Sequence, residues 1–182
     1  MTTTTPQLAG HLLVDCLLAQ GVTHAFGVPG ESYLAVLDGL YARRGQIRFI
    51  TCRQEGGAAF MAEAHGKLTG RPGVCMVTRG PGATNASIGV HTAFQDSTPM
   101  VLLVGDVASD CRDREAFQEV DYSSFFGPST KGFAKRVERI DAADLTNKKN
   151  HRRRILKRGV YADGRIGRAR PARDQTNTGS AG

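Results

Sequence analysis

Paired cysteines are missing from this chain. Cys16, Cys52, Cys75 and Cys111 are widely spread, no Cys-x-x-Cys occurs, and no histidine accompanies them at ligand spacing. That excludes a zinc ribbon or finger and a disulfide framework, and it predicts reduced, mostly buried thiols. Long apolar runs are missing too: none approaches the roughly 20 residues that span a bilayer. Met1 to Pro6 is threonine-rich, without the basic n-region and apolar h-region of a signal peptide. The expectation is a soluble cytoplasmic protein with no membrane partner.

Acidic charge is scarce at one end only. Residues 1–130 carry 9 Lys/Arg against 12 Asp/Glu, net −3, whereas residues 131–182 carry 15 against 5, net +10, which together make the +7 of the whole chain. The basic run Lys148 to Arg158 is dense enough to neutralise phosphates weakly. It has no interleaved aromatics and no recognisable module, so nucleic acid is not an expected partner.

The remaining residues alternate in kind. Leu8, Leu12, Leu13, Cys16 and Leu17 recur at helical spacing before Gly21, predicting an opening helix with a glycine stop. Strands are predicted over His24 to Val28, Gln46 to Cys52, Gly73 to Thr78 and Met100 to Gly105. Helices fall between them, along Tyr33 to Tyr41, Glu55 to Leu68 and Thr84 to Gln95. Such alternation implies an α/β fold: an open, mainly parallel sheet with helices on both faces. A short irregular helix is expected within Glu115 to Phe126, and a further strand within Thr130 to Val137. One domain over 1–144 and a basic tail without regular structure over 145–182 are the expected organisation.

In open α/β sheets ligands sit outside the carboxyl ends of the strands. Pro29-Gly30, Glu55 and the turn Gly80-Pro81-Gly82 should share that rim. A carboxylate there, beside Gly56, Gly57, Ala58 and Ala59, can share a proton with a ring nitrogen. Its bland reading is a helix N-terminal acid complementing the macrodipole. The glycine turn has a rival reading as a dinucleotide fingerprint, with Asp106 in the place of a ribose-binding acid. Asn85 stands where that fingerprint needs Gly or Ala, Pro81 stiffens the turn, and the motif follows the third strand instead of the first. His11, His24, His65 and His91 form no defensible catalytic or metal set, although His65, in the helix that follows Glu55, stands where it could reach the rim.

Four motifs in order, Gly27-Val28-Pro29-Gly30, Arg53-Gln54-Glu55, Thr78-Arg79-Gly80-Pro81-Gly82-Ala83-Thr84-Asn85 and Asp96-Ser97-Thr98-Pro99, carry a family resemblance. From about Gln7 to about Asp144 the chain resembles the N-terminal pyrimidine-binding domain of thiamine diphosphate enzymes, closest to the acetolactate synthases. The resemblance implies Glu55 and Gln118 as catalytic residues. It implies Pro29, Gly30, Glu55, Thr78, Pro81 and Asn85 around the cofactor, and Phe117, Gln118 and Lys131 along the substrate channel. The matching glutamate in the family hydrogen-bonds N1′ of the aminopyrimidine, promoting the tautomer that removes the thiazolium C2 proton. Glu31 departs from the family, many of whose members have a further glycine there.

The resemblance also implies what lies elsewhere. Family members hold the diphosphate through magnesium in a third domain, whose Gly-Asp-Gly and later Asn have no counterpart at Asp163-Gly164, so no metal ligand is expected in this chain. Full-length relatives can carry FAD. The cofactor lies between two subunits, so a homodimer, or association with a full-length or complementary subunit, is the implied partner. The implied reaction joins pyruvate to a second 2-keto acid, a transferase or lyase step of branched-chain amino acid biosynthesis. The chain is expected to be an incomplete piece of such an enzyme, inactive alone. Another thiamine diphosphate-dependent 2-keto acid decarboxylase or carboligase, and a non-catalytic interaction module, are the alternatives.

Overall fold

A computed structural model of the chain describes residues 8–131, 133–136 and 158–163. Its strands are β1 (His24–Gly27), β2 (Arg48–Thr51), β3 (Gly73–Val77), β4 (Met100–Gly105), β5 (Phe133–Arg136) and β6 (Arg158–Asp163). The helices are α1 (Ala9–Ala19), α2 (Leu34–Ala42), α3 (Glu55–Thr69), α4 (Pro81–Asp96) and α5 (Tyr122–Phe126). The sheet order is β2-β1-β3-β4-β6-β5, and every ladder is parallel. The expected α/β architecture is the observed one.

The period of two along the strands divides the core. Phe26, Cys75, Val77, Leu102 and Val104 face α3, α4 and α5, where they meet Ala58, Ala62, Ala86, Val90 and Phe126. Their neighbours Ala25, Val74, Met76 and Leu103 face the opposite layer of Val14, Leu17, Val36 and Leu40 from α1 and α2. Strands covered on both faces read as continuous apolar runs for this reason. Each fully buried side chain of the Val, Leu or Phe type contributes roughly 1.5–3 kcal/mol. Small residues let α3 and α4 approach closely: a Cβ at Gly89 would stand 2.5 Å from Ala59 Cβ.

Three expectations change. Within the stretch expected to lack regular structure, Arg158–Asp163 is a strand inserted between β4 and β5. Val160-Tyr161-Ala162 is a short run of strand formers that the surrounding charge conceals, and the edge of β4 offers it a complete parallel ladder. The proposed boundary at 144 and the run Lys148 to Arg154 lie outside the described residues. All four cysteines are free, but only Cys75 is buried; Cys16 and Cys52 are half-buried and Cys111 is exposed. Desolvation pushes the Cys75 thiol well up, and the nearby Cys52 and Glu55 add to it. No helix among the described residues is long and apolar enough to cross a membrane.

His65 does not reach the rim. Its ring lies 5.6 Å from that of His24 and 5.9 Å from that of Phe26, and His24 opens β1 at the amino edge of the sheet. Burial lowers the His65 pKa, and His24 lowers it further. The unfolded chain therefore binds the extra proton first as pH falls below about 6.5. The stability tied to His65 is fully present above that value and is lost as pH falls through the depressed native one. Urea unfolding of the wild type and of His65→Gln should show the wild type losing more stability from about pH 7.5 to about pH 5; parallel pH curves would refute it.

Candidate functional site

Three strand ends deliver the site. β2 runs out at Thr51, and after Cys52-Arg53 the chain enters α3, with Glu55 as its first residue and Gln54 as cap. The Gln54 side chain accepts the Gly57 N–H at 2.9 Å, so the entry angle of α3, and with it the Glu55 carboxylate, is set locally. Glu55 thus occupies the position that also favours an acid electrostatically, and the structural and chemical readings of it coincide. β3 leads through Thr78-Arg79-Gly80 into α4, with Pro81 at the first helical position, where its missing N–H costs nothing.

The two helix starts meet. Asn85 Nδ2 donates to Glu55 Oε2 at 3.1 Å. Among the described residues no hydrogen bond reaches the other oxygen, Oε1. It faces Gly82, where a Cβ would stand 3.6 Å from it and 2.8 Å from Thr78 Cγ2. Glu55 is half-buried, and beside it Gly57 opens onto free space, with no atom within 4 Å of where its Cβ would be. Thr78 Oγ1 pairs with Ser32 Oγ at 2.7 Å, and a Cβ at Gly30 would fall 2.6 Å from Thr78 Cβ. Pro29 is exposed on the same loop.

Gln118 joins this group from the loop before α5. Its Cβ occupies the space a side chain at residue 80 would need, 2.5 Å from the ideal Cβ, and Gly80 itself has φ +60°. Only glycine satisfies both conditions. Phe117 is 75% exposed, and its carbonyl accepts from Arg79 Nε at 3.1 Å. The structure therefore brings Pro29, Gly30, Glu55, Thr78, Pro81, Asn85, Phe117 and Gln118 to one rim.

Lys131 is not brought there. It immediately precedes β5, so a parallel strand direction puts it at the amino edge, where Nζ donates to Ser97 Oγ at 2.5 Å and lies 5.2 Å from the Phe94 ring. Ser97 and Phe94 are at the far end of α4, whose 16 residues span about 24 Å at 1.5 Å per residue. The dinucleotide rival fails at Asp106: the carboxylate is buried, 3% exposed, and accepts the Val107 N–H at 2.8 Å.

Two residues that sequence reasoning passed over hold the site together. The Gly80 N–H donates to the Tyr122 hydroxyl at 2.7 Å in a buried setting. The Tyr33 hydroxyl donates to the Val28 carbonyl, steadying the peptide before Pro29. Burial raises the Tyr33 pKa, with the Cys75 and Glu55 charges adding to it, so the phenol stays a donor. Tyr33 reads in the sequence only as the start of a helical stretch and Tyr122 carries no pattern of its own; the glycine-rich turns needing buried partners were the available signal. Tyr122→Phe strands the Gly80 N–H, and a buried donor without its partner costs about 1–3 kcal/mol. Thermal unfolding of the variant should show a loss in that range, and a stability equal to wild type would remove Tyr122 from this role.

An open parallel sheet with a half-buried carboxylate and two glycine turns converging outside its strand ends defines a ligand-binding α/β domain. Residues 8–125 match the family model for the thiamine pyrophosphate enzyme, N-terminal TPP binding domain, and the chain belongs to that family. It is 48% identical over 120 residues to the acetolactate synthase of Bacillus subtilis (strain 168), covering 66% of this chain and 21% of that protein. It is 43% identical over 122 residues to the mitochondrial acetolactate synthase catalytic subunit of Aspergillus candidus, covering 67% and 17%. With the acetolactate synthase isozyme 2 large subunit of Escherichia coli (strain K12) the identity is 44% over 109 residues, covering 60% and 20%. The chain spans about a fifth of the length of the curated relatives it matches.

Proposed function

We propose that this rim is the aminopyrimidine side of a thiamine diphosphate site, in a protein that joins 2-keto acids as acetolactate synthases do. The observation that carries the reading is the Glu55 carboxylate, half-buried at the rim, steadied on Oε2 by Asn85 and, among the described residues, without a hydrogen bond on Oε1. A ring nitrogen placed there meets one carboxyl oxygen able to share a proton with it, and the second oxygen is already satisfied. When bound, thiamine diphosphate supplies the electron sink that 2-keto acid chemistry requires. Gly82 lets α4 start tightly against Thr78, where a Cβ would stand 2.8 Å from Thr78 Cγ2. Gln118, seated against Gly80 on the same rim, offers an amide that can hold the substrate carboxylate.

Diphosphate and magnesium are not assigned to the described residues, among which no group of three or more His, Cys, Asp or Glu could hold a metal ion. The reading places a partner against α3 and α4. Phe60, Met61 and Ile88, 41%, 48% and 54% exposed, make an apolar flank beside Glu55, and such a flank favours association. A homodimer or a complementary subunit fits it. Free cysteines suit the reducing cytoplasm in which this reading places the protein. Lys131 receives no role at this rim.

The test is a domain exchange. The N-terminal segment of the Bacillus subtilis acetolactate synthase is replaced by residues 8–125 of this chain together with the α5 residue Phe126, and product formation from pyruvate is measured with and without thiamine diphosphate. Cofactor-dependent formation of a 2-hydroxy-3-keto acid is expected. A folded exchange protein that consumes no pyruvate would sink the reading.

A further inference from the structure

Arg79 has no chemical role in the function proposed above, yet it ties together two separate segments of the rim. Nη2 donates to Glu31 Oε1 at 2.7 Å, at the start of the turn that follows β1. Nε donates to the Phe117 carbonyl at 3.1 Å, in the loop that leads to α5. The guanidinium carbon lies 6.0 Å from the centre of the Phe117 ring. The Arg79 side chain is 16% exposed and Glu31 74%, so the arginine is built into the rim and the glutamate closes over it from solvent.

The loop that Arg79 holds is under backbone strain. Asp113, Glu115 and Gln118 have φ of +58°, +54° and +62°, and none of them is glycine. Side-chain-bearing residues keep such conformations only where their surroundings hold them. From inside the loop, the Glu119 carboxylate accepts the Asp113 and Ala116 N–H groups at 2.8 and 3.0 Å. Across from it, Arg79 holds the Phe117 carbonyl, and that peptide leads directly into Gln118. A guanidinium fork supplies two donors in fixed relation, one for each neighbour; an ammonium cannot reproduce this.

We propose that Arg79 is a positioning residue: by holding the Phe117 peptide, with Glu31 aiming its guanidinium, it keeps Gln118 left-handed and seated against Gly80 at the rim. The consequence for substrate rests on the function proposed above, because there the Gln118 amide faces the 2-keto acid. The clamp itself rests only on the geometry of this chain.

The experiment is nuclear magnetic resonance on the full-length chain, uniformly labelled. Gln118 Cα and Cβ shifts report its backbone region, and amide exchange over Ala116 to Glu119 reports the order of the loop. Arg79→Ala is expected to move the Gln118 shifts toward averaged values and to speed loop exchange at least about tenfold, with less than about a twofold change in β3 and α4. Arg79→Lys, which keeps the charge but not the fork, should behave like Arg79→Ala. Glycine takes positive φ without strain, so in a Gln118→Gly background the Arg79→Ala effect on exchange should fall below about threefold.

Unmoved Gln118 shifts in both Arg79 variants would overturn the clamp. So would equal loosening of β3 and α4, or an Arg79→Ala effect undiminished by Gln118→Gly. These outcomes are independent of the domain exchange, whose failure would remove the catalytic reading and leave the clamp standing.

Discussion

Glu55→Gln in the domain-exchange enzyme should lower turnover by roughly 10²–10⁴-fold, the usual span for losing a positioned proton-sharing group. The amide keeps the volume of the carboxyl and can still meet Asn85, whose Nδ2 holds Oε2 at 3.1 Å. What it loses is the capacity to take up and return a proton. Stability should change little, since an acid in the first turn of a helix contributes about 0.3–1 kcal/mol through the macrodipole. Rate and thermal unfolding together decide the matter. A variant within tenfold of the parent rate would show that Glu55 serves only as the start of α3, and a variant that unfolds far below the parent would show that the rate loss is structural.

Phe126→Ala should destabilise the chain by about 3–5 kcal/mol, the range for truncating a buried phenylalanine. Phe126 is 1% exposed and packs in the core between the sheet and α4, and its ring meets Phe125 edge to face at 4.8 Å between centroids. A domain of this size has about 5–15 kcal/mol in all, so the variant should unfold at markedly lower urea concentration. The effect should extend to the rim. α5 is short, and Tyr122 at its other end holds the Gly80 N–H, so a loosened α5 also releases the glycine turn that faces Gln118. Faster amide exchange at Gly80 is the expected sign. A urea midpoint close to the parent value would show that the cavity closes without loss.

Residues acting within their own segment were readable from order alone. The apolar runs Val74 to Val77 and Met100 to Gly105 announced strands covered on both faces, and the helical spacing from Leu8 to Leu17 ended at Gly21 as a helix should. Glu55 could be placed at a strand end because the strand over Gln46 to Cys52 stops just before it and a helical stretch begins with it. The rim itself followed from parallel topology, which sends every strand's carboxyl end the same way.

Side chains that act across segments were another matter. Lys131 looked like a companion of Phe117 and Gln118, but the direction of β5 carries it to the opposite edge, against Ser97. Arg79 and Glu31 are 48 residues apart and have no common periodicity, so only folding shows that they meet. Tyr122 has no marker in the sequence, and only the fold brings its hydroxyl to Gly80; the strand at Arg158–Asp163 was hidden by charge until the free edge of β4 selected it. Amino-acid order by itself determined the layers, the strand ends and the carboxylate at the rim, because burial and capping act over a few residues. Which side chains hold that rim in shape was decided by tertiary structure alone, because a hydrogen bond between distant segments depends on where the packed sheet carries both partners.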